Sequence, residues 1–597
     1  MIFIKKKYTS LDVVKIPLKH FTKLTMMYYV ILILLAILPT GILSMLIANF
    51  IDTTVAVFNA QKTSSDVYYS AIFLIVIMIL TAILSPILSL IESKISISLD
   101  KNILPELVKK QAELPYYYIE NANNWEVIDR ITEEMNQTFI EGMQGYGTIL
   151  QQICSILSVI IYLYTHIWWS AIVLLVASIP FYILASFFGK KIYESKIDTY
   201  KYERRYSYYS DEILTNQEAK DEKTVFNFTD KIANRYYHYF EKARDIQLKV
   251  FLKSLVSMKA TDIFLSVISI VILIILTPQI NKGITIGVFI GVTTSLFSIS
   301  DNLGWTVANA IQKIAEAKEY MKELTDLFLI DSVKEATCMP SDKQLDFESL
   351  EFVNVWFKYP NSKEYSLKGI SFKIINGNQY GFVGVNGSGK TTITKLITRL
   401  YGTYEGTILL NGKDLQLYSL SEIKAIFSVV HQDYSKYEVS IKENITFGNI
   451  SQEIDENNLN NVIDELSLNN IIHKLSNGID TRIGKLGEDN FELSGGQWQL
   501  IAIARSLYSV APIKILDEPV ASLDPILESK IYENFATLMN NKTSILITHR
   551  LGSIKLVDKI FVIDNGKIIE EGSHDELMKL NKTYANMYTV QSRWYNE

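Results

Sequence analysis

Six long apolar runs crowd the first half of this 597-residue chain. Nothing else limits the fold as strongly, because each run approaches the ~20 residues that a bilayer core demands of a helix. They cover about Thr25–Phe50, Val67–Ile91, Ile149–Thr165, Trp168–Phe188, Leu255–Thr277 and Ile284–Ala308. Pro86 is expected to kink the second run, since proline removes one helical hydrogen bond. Almost no loop separates the third from the fourth. Charged residues make up only 20% of the chain, which is low for a soluble protein of this length. Lys5, Lys6 and Lys7 precede the first run, but that run is too long for a signal-peptide core and no A-x-A-like site follows it, so it reads as a retained span.

Charge placement orients the spans. Lys5, Lys6, Lys7, Lys15, Lys19 and Lys23 precede the first one. The turn after it offers only Lys62, the third-to-fourth turn offers no Lys or Arg, and the fifth-to-sixth turn offers only Lys282. Lys190 to Lys253, by contrast, is dense in both. Positive-inside bias therefore puts both termini and both long loops in the cytosol. Trp168 and Trp169 fall at the expected outer boundary, where interfacial aromatics or ordinary packing residues both fit. Lys259, Asp262 and Asp301 lie near the inner ends of spans and are either functional intramembrane charges or wet helix extensions.

The long connections, about Ser93–Ile149 and Gly189–Ser254, carry apolar residues at helical spacing. They read as cytosolic extensions of the membrane helices, turning near Leu114-Pro115-Tyr116-Tyr117-Tyr118 and Thr215-Asn216-Gln217-Glu218-Ala219. Such loops can dock on a soluble domain and transmit its motion. A formal net charge of -6 gives no basic bias and so no indication of a nucleic-acid partner. The two cysteines, Cys154 and Cys338, make no CxxC, zinc spacing or disulfide framework, as fits a reducing cytosolic face.

From Leu350 the pattern changes to short β-rich runs alternating with helical stretches: Phe352–Val355, Tyr380–Val383, Ile408–Leu410, Phe427–Val430, Ile513–Leu516, Ser544–Thr548 and Lys559–Ile563. That predicts an α/β domain with a largely parallel core sheet. Between a strand ending at Val383 and a helix from Thr392 lies Gly384-Val385-Asn386-Gly387-Ser388-Gly389-Lys390-Thr391, of the form G-x-x-x-x-G-K-[ST]. Glycines let several backbone N–H groups converge on one anion, and the helix N-terminus adds partial positive charge there. Lys390 reaches the β- and γ-phosphates and the Thr391 hydroxyl ligates Mg²⁺, with Thr392 alongside. Ile513-Lys514-Ile515-Leu516-Asp517-Glu518 is an apolar strand ending in two acids. Asp517 is placed to hold Mg²⁺, and Glu518 to orient or deprotonate an attacking water, a role worth roughly 10²–10⁴ in rate.

Leu493-Ser494-Gly495-Gly496-Gln497 is the most specific motif. With the phosphate loop and the Asp-Glu strand it closely resembles the nucleotide-binding domain of ATP-binding cassette (ABC) transporters, and the likeness extends over the six spans. The resemblance implies a membrane all-α six-helix domain with long cytosolic extensions at 1–330, a linker at 331–349 and an α/β P-loop nucleotide-binding domain at 350–597. It implies a head-to-tail homodimer with two ATP molecules and Mg²⁺ between the copies. Ser494, Gly495, Gly496 and Gln497 then meet the γ-phosphate held by the opposite copy. Tyr359 resembles the aromatic that stacks on adenine, Gln432 the glutamine that touches Mg²⁺, and His549 the switch histidine near the γ-phosphate. Asp524 resembles the loop that crosses to the other domain. Two stretches depart from the family pattern: Ala521 stands where a serine is common, and Gly487-Glu488-Asp489-Asn490 keeps only half of a Gly-Glu-Arg-Gly run.

Fusion of the spans ahead of the nucleotide domain resembles exporters of this family. Leu-Ser-Gly-Gly-Gln followed by Trp498 and Gln499, together with Tyr434-Ser435-Lys436-Tyr437-Glu438, looks like the lantibiotic and bacteriocin peptide exporters. With the chain starting some two dozen residues before the first span, the N-terminal cysteine peptidase of some peptide exporters is not expected here. The expected protein is a multi-pass exporter of the bacterial cytoplasmic membrane, its partners being a second copy, the bilayer and a transported peptide or amphipathic small molecule. A multidrug or lipid exporter with the same engine is the alternative, and a gated channel or non-transporting ATPase a third.

Overall fold

The computed structural model describes residues 7–216, 220–280, 284–300, 303–341, 345–360, 362–485, 490–518 and 543–596. The chain divides into two compact units. The first holds Met1–Gln111 and Glu126–Ile330, and the second holds Ala112–Trp125 and Asp331–Glu597.

Among its described residues the first unit is helical apart from short turns and an isolated bridge between Ile280 and Ile284. The first expected span lies in Thr22–Ile37 and Leu43–Phe58, joined by a π-helical stretch at Leu38–Ile42. Pro39 opens that stretch, and the wider turn accommodates the hydrogen bond that proline cannot donate. Pro86 sits inside an unbroken helix, Ser64–Asn102. The third, fourth and fifth expected spans lie in Met135–His166, Trp168–Ser207 and Thr229–Leu276. The sixth falls across two helices, Ile286–Ser300 and Leu303–Leu329. Among the described residues, four helical stretches are long and apolar enough to cross a membrane, and Ile286–Phe297 is a shorter apolar helix.

These helices bury one stripe each around a core that includes Val159, Leu163, Leu276, Val292 and Leu296. Outward-facing Ile, Val and Phe side chains, such as Phe73, Ile79 and Ile274, stay exposed. A soluble fold would bury such faces, whereas lipid solvates them. Trp168–Ser207 and Thr229–Leu276 continue well past the spans as a pair. Gln247 Nε2 bridges them to Thr199 Oγ1 at 3.1 Å and Glu203 Oε1 at 2.6 Å. Tyr206 packs against Tyr236 and Phe240 farther along, and Tyr209 stacks on Tyr239. Of the expected second turning point, Thr215 and Asn216 follow a π-helical stretch at Tyr208–Leu214, and 217–219 lie outside the described residues. Lys259 and Asp262 sit one turn apart on a single helix with Nζ 3.2 Å from the carboxylate. Asp301 lies outside the described residues.

The second unit is built on two sheets. The four-stranded sheet runs β2-β1-β4-β5, with β1 Ser349–Phe357, β2 Leu367–Ile375, β4 Glu405–Leu410 and β5 Lys413–Asp414. Its pairings are antiparallel. The six-stranded sheet runs β10-β9-β3-β8-β7-β6. It comprises β3 Gln379–Val383, β6 Phe427–Val430, β7 Ile513–Asp517, β8 Thr543–Ile547, β9 Lys559–Asp564 and β10 Lys567–Gly572. All its neighbours pair in parallel except β9 with β10. Every residue of β7 and β8 is buried, as continuous apolar runs in a doubly covered parallel sheet require. Phe372, Phe382 and Phe561 meet in the core, Phe382 stacked on Phe561 and Phe372 edge-on to Phe382.

The first expected turning point, Leu114 to Tyr118, belongs to this second unit. Its short helix, Tyr116–Ile119, is followed by Glu120, which pairs with Lys395 and accepts from the Tyr401 hydroxyl. The Tyr116 and Tyr401 rings meet edge to face at 5.7 Å.

Candidate nucleotide site

In an open parallel sheet, ligands collect beyond the carboxyl ends of the strands, where the loops fan apart. Strand order β3-β8-β7-β6 brings four loops together there. The glycine-rich loop follows β3, His549 follows β8, Glu518 follows β7, and Gln432 follows β6. The sheet thus gathers residues separated by up to 165 positions in sequence to one edge.

The loop leads into a helix, Lys390–Ile397, capped by Gly389. Gly389 has φ +109°, a left-handed conformation that side-chain-bearing residues resist. A Cβ there would also meet Leu367 Cδ2 at 2.7 Å, so both backbone and space select glycine. Val385, Asn386 and Gly387 are exposed at the rim, while Gly384, Ser388 and Lys390 are buried beneath it. Lys390 folds back so that Nζ donates to the carbonyls of Gly384 at 2.9 Å and Val385 at 3.1 Å. Burial lowers the Lys390 ammonium below its ordinary value, with Glu518 and Asp517 opposing that shift. Thr391 is half-buried, and the buried Thr392 shares a 3.0 Å hydroxyl contact with Tyr359.

Asp517 ends β7 at 1% exposure, and neither carboxylate oxygen has a hydrogen-bond partner among the described residues. The same is true of Ser388 Oγ. Burial pushes the Asp517 carboxyl up to about 6; the nearby Thr391 hydroxyl pulls it down and Glu518 adds to the rise. Holding such an acid ionised at neutral pH costs about 3 kcal/mol relative to water. A buried carboxylate with open lone pairs beside a threonine hydroxyl fits a divalent cation. Mg²⁺ usually takes one or two protein carboxylates and completes its shell with phosphate and water. No cluster of three or more His, Cys, Asp or Glu occurs among the described residues.

Glu518 adopts φ +49°, the left-handed region, one residue beyond the strand. Its N–H donates to Ile547 O at 2.8 Å, which fixes the turn. Strain of this kind persists only where surrounding structure enforces it, and it clusters at functional sites. The turn brings Glu518 Oε1 within 3.0 Å of His549 Nδ1, at ion-pair distance without an in-line hydrogen bond. Gln432 is exposed at the end of β6. Tyr359 packs edge to face on Phe357 and Tyr401, and Lys395 Nζ lies 5.3 Å from its ring centre.

Ser494 caps the helix Gly495–Tyr508: its Oγ accepts from Gln497 N at 3.3 Å, and Gln497 Oε1 accepts from Ser494 N at 2.9 Å. This reciprocal box leaves the helix N-terminus open, with Ser494 and Gly495 exposed. The Tyr434 hydroxyl donates to Gly495 O at 2.9 Å and so ties the segment after Gln432 to the signature. Trp498 and Gln499 are buried, Trp498 as part of the hydrophobic core. Asp524, Ala521 and 487–489 lie outside the described residues.

A phosphate-binding loop, a strand-end acid pair and a helix-heading signature define a nucleotide-hydrolysing domain fused behind membrane helices. Residues 367–521 match the family described as ABC transporter, and residues 30–302 match the ABC transporter transmembrane region. The subtilin transport ATP-binding protein SpaT of Bacillus subtilis is 31% identical over 81% of this chain and 78% of its own. The nisin transport ATP-binding protein NisT of Lactococcus lactis is 26% identical over 83% of each chain. An ATP-dependent lipid A-core flippase of Pseudoalteromonas atlantica is 27% identical over 81% of this chain and 82% of its own. In fold, a bacterial Atm1-family ABC exporter solved with ATP bound matches at a TM-score of 0.75 and 21% identity, covering 94% of this chain and 97% of the other. The chain belongs to the ABC transporter family. It is an ATP-driven, multi-pass membrane exporter in which ATP hydrolysis is coupled to transport.

Proposed function

We propose that the chain exports a peptide of the lantibiotic or bacteriocin kind, working as a homodimer with its nucleotide unit and both termini in the cytosol. The observation that carries the peptide reading is the 31% identity to the subtilin transport protein over most of both chains. Lipid export is the second reading, favoured by flippase relatives of similar coverage at 27%.

In this account ATP lies along the loop from Gly384 to Thr392, with its adenine on Tyr359. Gly387, Gly389 and their neighbours offer backbone N–H groups to the phosphates, and Lys390 exchanges its loop carbonyls for phosphate oxygen. Thr391, Asp517 and Gln432 would hold Mg²⁺, which when bound neutralises phosphate charge. Glu518 takes a proton from water as the water oxygen bonds to the γ-phosphorus and the bond to ADP breaks. His549 steadies the Glu518 carboxylate and the γ-phosphate. Ser494, Gly495, Gly496 and Gln497 close the site on the partner copy, with Asp524 nearby. A helix N-terminus that stays exposed at Ser494 and Gly495 supports that assignment. Moving a two-state equilibrium from about 1:99 to 99:1 takes ~5.5 kcal/mol of differential affinity, which two nucleotides clamped between copies can supply.

The test is turnover of the purified full chain in lipid nanodiscs. A modified precursor peptide should raise ATP turnover severalfold, and a lipid A-type glycolipid should not. Stimulation by the glycolipid alone would transfer the assignment to lipid export.

A further inference from the structure

The switch histidine is held from behind by a residue that belongs to no motif. The final helix, Thr583–Asn596, is anchored at its start. Glu570 on β10 accepts from Thr583 N at 2.8 Å and Tyr584 N at 3.2 Å, and so fills the first open donors of the helix. Tyr584 is fully buried, and its hydroxyl lies 2.8 Å from His574 Nδ1. The His574 and Tyr588 rings meet at 4.8 Å.

Two turns beyond Tyr584 the half-buried Gln591 reaches the loop after β8. Its Nε2 donates to His549 O at 2.6 Å, and its Oε1 accepts from Leu551 N at 2.9 Å. A single amide therefore satisfies a carbonyl and an N–H on either side of Arg550. Because a carboxamide carries its donor and acceptor at fixed separation, both bonds form only for one backbone geometry. That geometry is the one that leaves His549 Nδ1 3.0 Å from Glu518 Oε1. On the opposite side Thr548 N donates to Phe382 O at 3.3 Å, and Arg550 N to Thr548 Oγ1 at 2.9 Å. The loop is thus fixed to the sheet at one end and to the last helix at the other.

We infer that Gln591 is a positioning residue for ATP hydrolysis: it sets the reach of His549 toward Glu518, which makes the C-terminal helix part of the hydrolytic machinery. The inference rests on the role given to His549 above. Gln591 touches neither nucleotide nor water in this account, and it acts only through the loop.

The test is a double-mutant cycle on the full chain in nanodiscs, reading kcat and KM for ATP and the melting temperature. Gln591→Met keeps size and helix propensity but removes both hydrogen bonds. It should lower kcat about tenfold, within the range that small misplacements of catalytic groups produce, with KM changed less than about twofold. In a His549→Ala background the same substitution should change kcat less than about twofold. Gln591→Glu keeps the acceptor for Leu551 N–H and loses the donor to His549. It should fall with Gln591→Met, and it carries the test if the methionine variant melts early. An equal loss from Gln591→Met in both backgrounds, or wild-type turnover by both Gln591 variants, would overturn the inference alone. A His549→Ala chain with wild-type turnover would overturn the histidine's role and the inference together.

Discussion

Asp517 ends a strand in the nucleotide unit and Asp52 meets the start of a helix in the helical unit, and the two acids are treated in opposite ways. Asp52 is fully used. Its Oδ2 accepts from Thr285 Oγ1 at 2.6 Å and its Oδ1 from Gly287 N at 2.7 Å, at the start of the helix Ile286–Ser300. It answers an open N–H of that helix and complements its dipole. Asp517 is more deeply buried, yet neither of its oxygens has a hydrogen-bond partner among the described residues beyond the nearby Thr391 hydroxyl. A satisfied acid explains itself as structure. A buried acid without such partners is open to a ligand, and between these two residues that difference distinguishes scaffold from site.

The contrast is sharpest at Glu518, one residue from Asp517. Glu518→Gln should keep ATP binding while turnover falls about 10²–10⁴-fold, since the base is lost and the fold is not. Turnover and nucleotide binding on one preparation check this, and normal hydrolysis would remove Glu518 from its role.

Asp517→Asn should abolish the gain in ATP affinity on adding Mg²⁺ and should raise the stability of the nucleotide-free unit by up to about 3 kcal/mol, because a buried charge is removed. Its pH dependence has a definite sign. The folded carboxyl titrates near 6, above its ordinary 3.8, so the folded state binds the proton more tightly than the unfolded one. Stability of the nucleotide-free chain should therefore fall as pH rises from about 4 to about 6. Over the same window Mg²⁺-dependent ATP binding should strengthen, and the asparagine variant should lose both trends in thermal melts and titrations.

Asp52→Ala should behave as loss of a cap, destabilising the chain by about 1–2 kcal/mol with ATP affinity unchanged. A large effect on nucleotide binding would break the comparison. Tyr359→Leu is the mildest, weakening ATP about three- to tenfold through lost ring contact, as equilibrium binding would show.

Much of the nucleotide unit was legible because its chemistry is local. Glycines, lysine and threonine stand within eight consecutive residues, and each of the seven expected β-runs falls on a strand of the structure. What escaped notice depends on partners far away in sequence. β2, β5 and β10 carry mixed polar and apolar residues, and their pairing, not their composition, makes them strands. The capping role of Gln497 is masked by its place in a motif, and the burial of Trp498 depends on core residues distant in sequence. Gln591 had no signal at all: a single polar residue near the chain end means nothing until the β8 loop is seen beside it.

In the helical unit the apolar runs fall largely on helices, and four helical stretches among the described residues are long and apolar enough to cross a membrane. The runs did not show the π-helical turn at Leu38–Ile42 or the helix boundary within the sixth run. Ala112–Trp125 lies between membrane helices in sequence and packs with the nucleotide unit through Glu120, Lys395 and Tyr401. Its tyrosines suggested a turning point, and the charge pairing that fixes it spans more than 270 positions.

The central claim is that the Glu518 site drives movement of cargo, and one measurement tests it most directly: ATP-dependent uptake of a labelled precursor peptide into inside-out vesicles carrying either the native chain or Glu518→Gln. The account predicts steady accumulation against a gradient with the native chain and at most a single turnover's worth with the variant. Equal uptake by both, or uptake that needs no ATP, would contradict it.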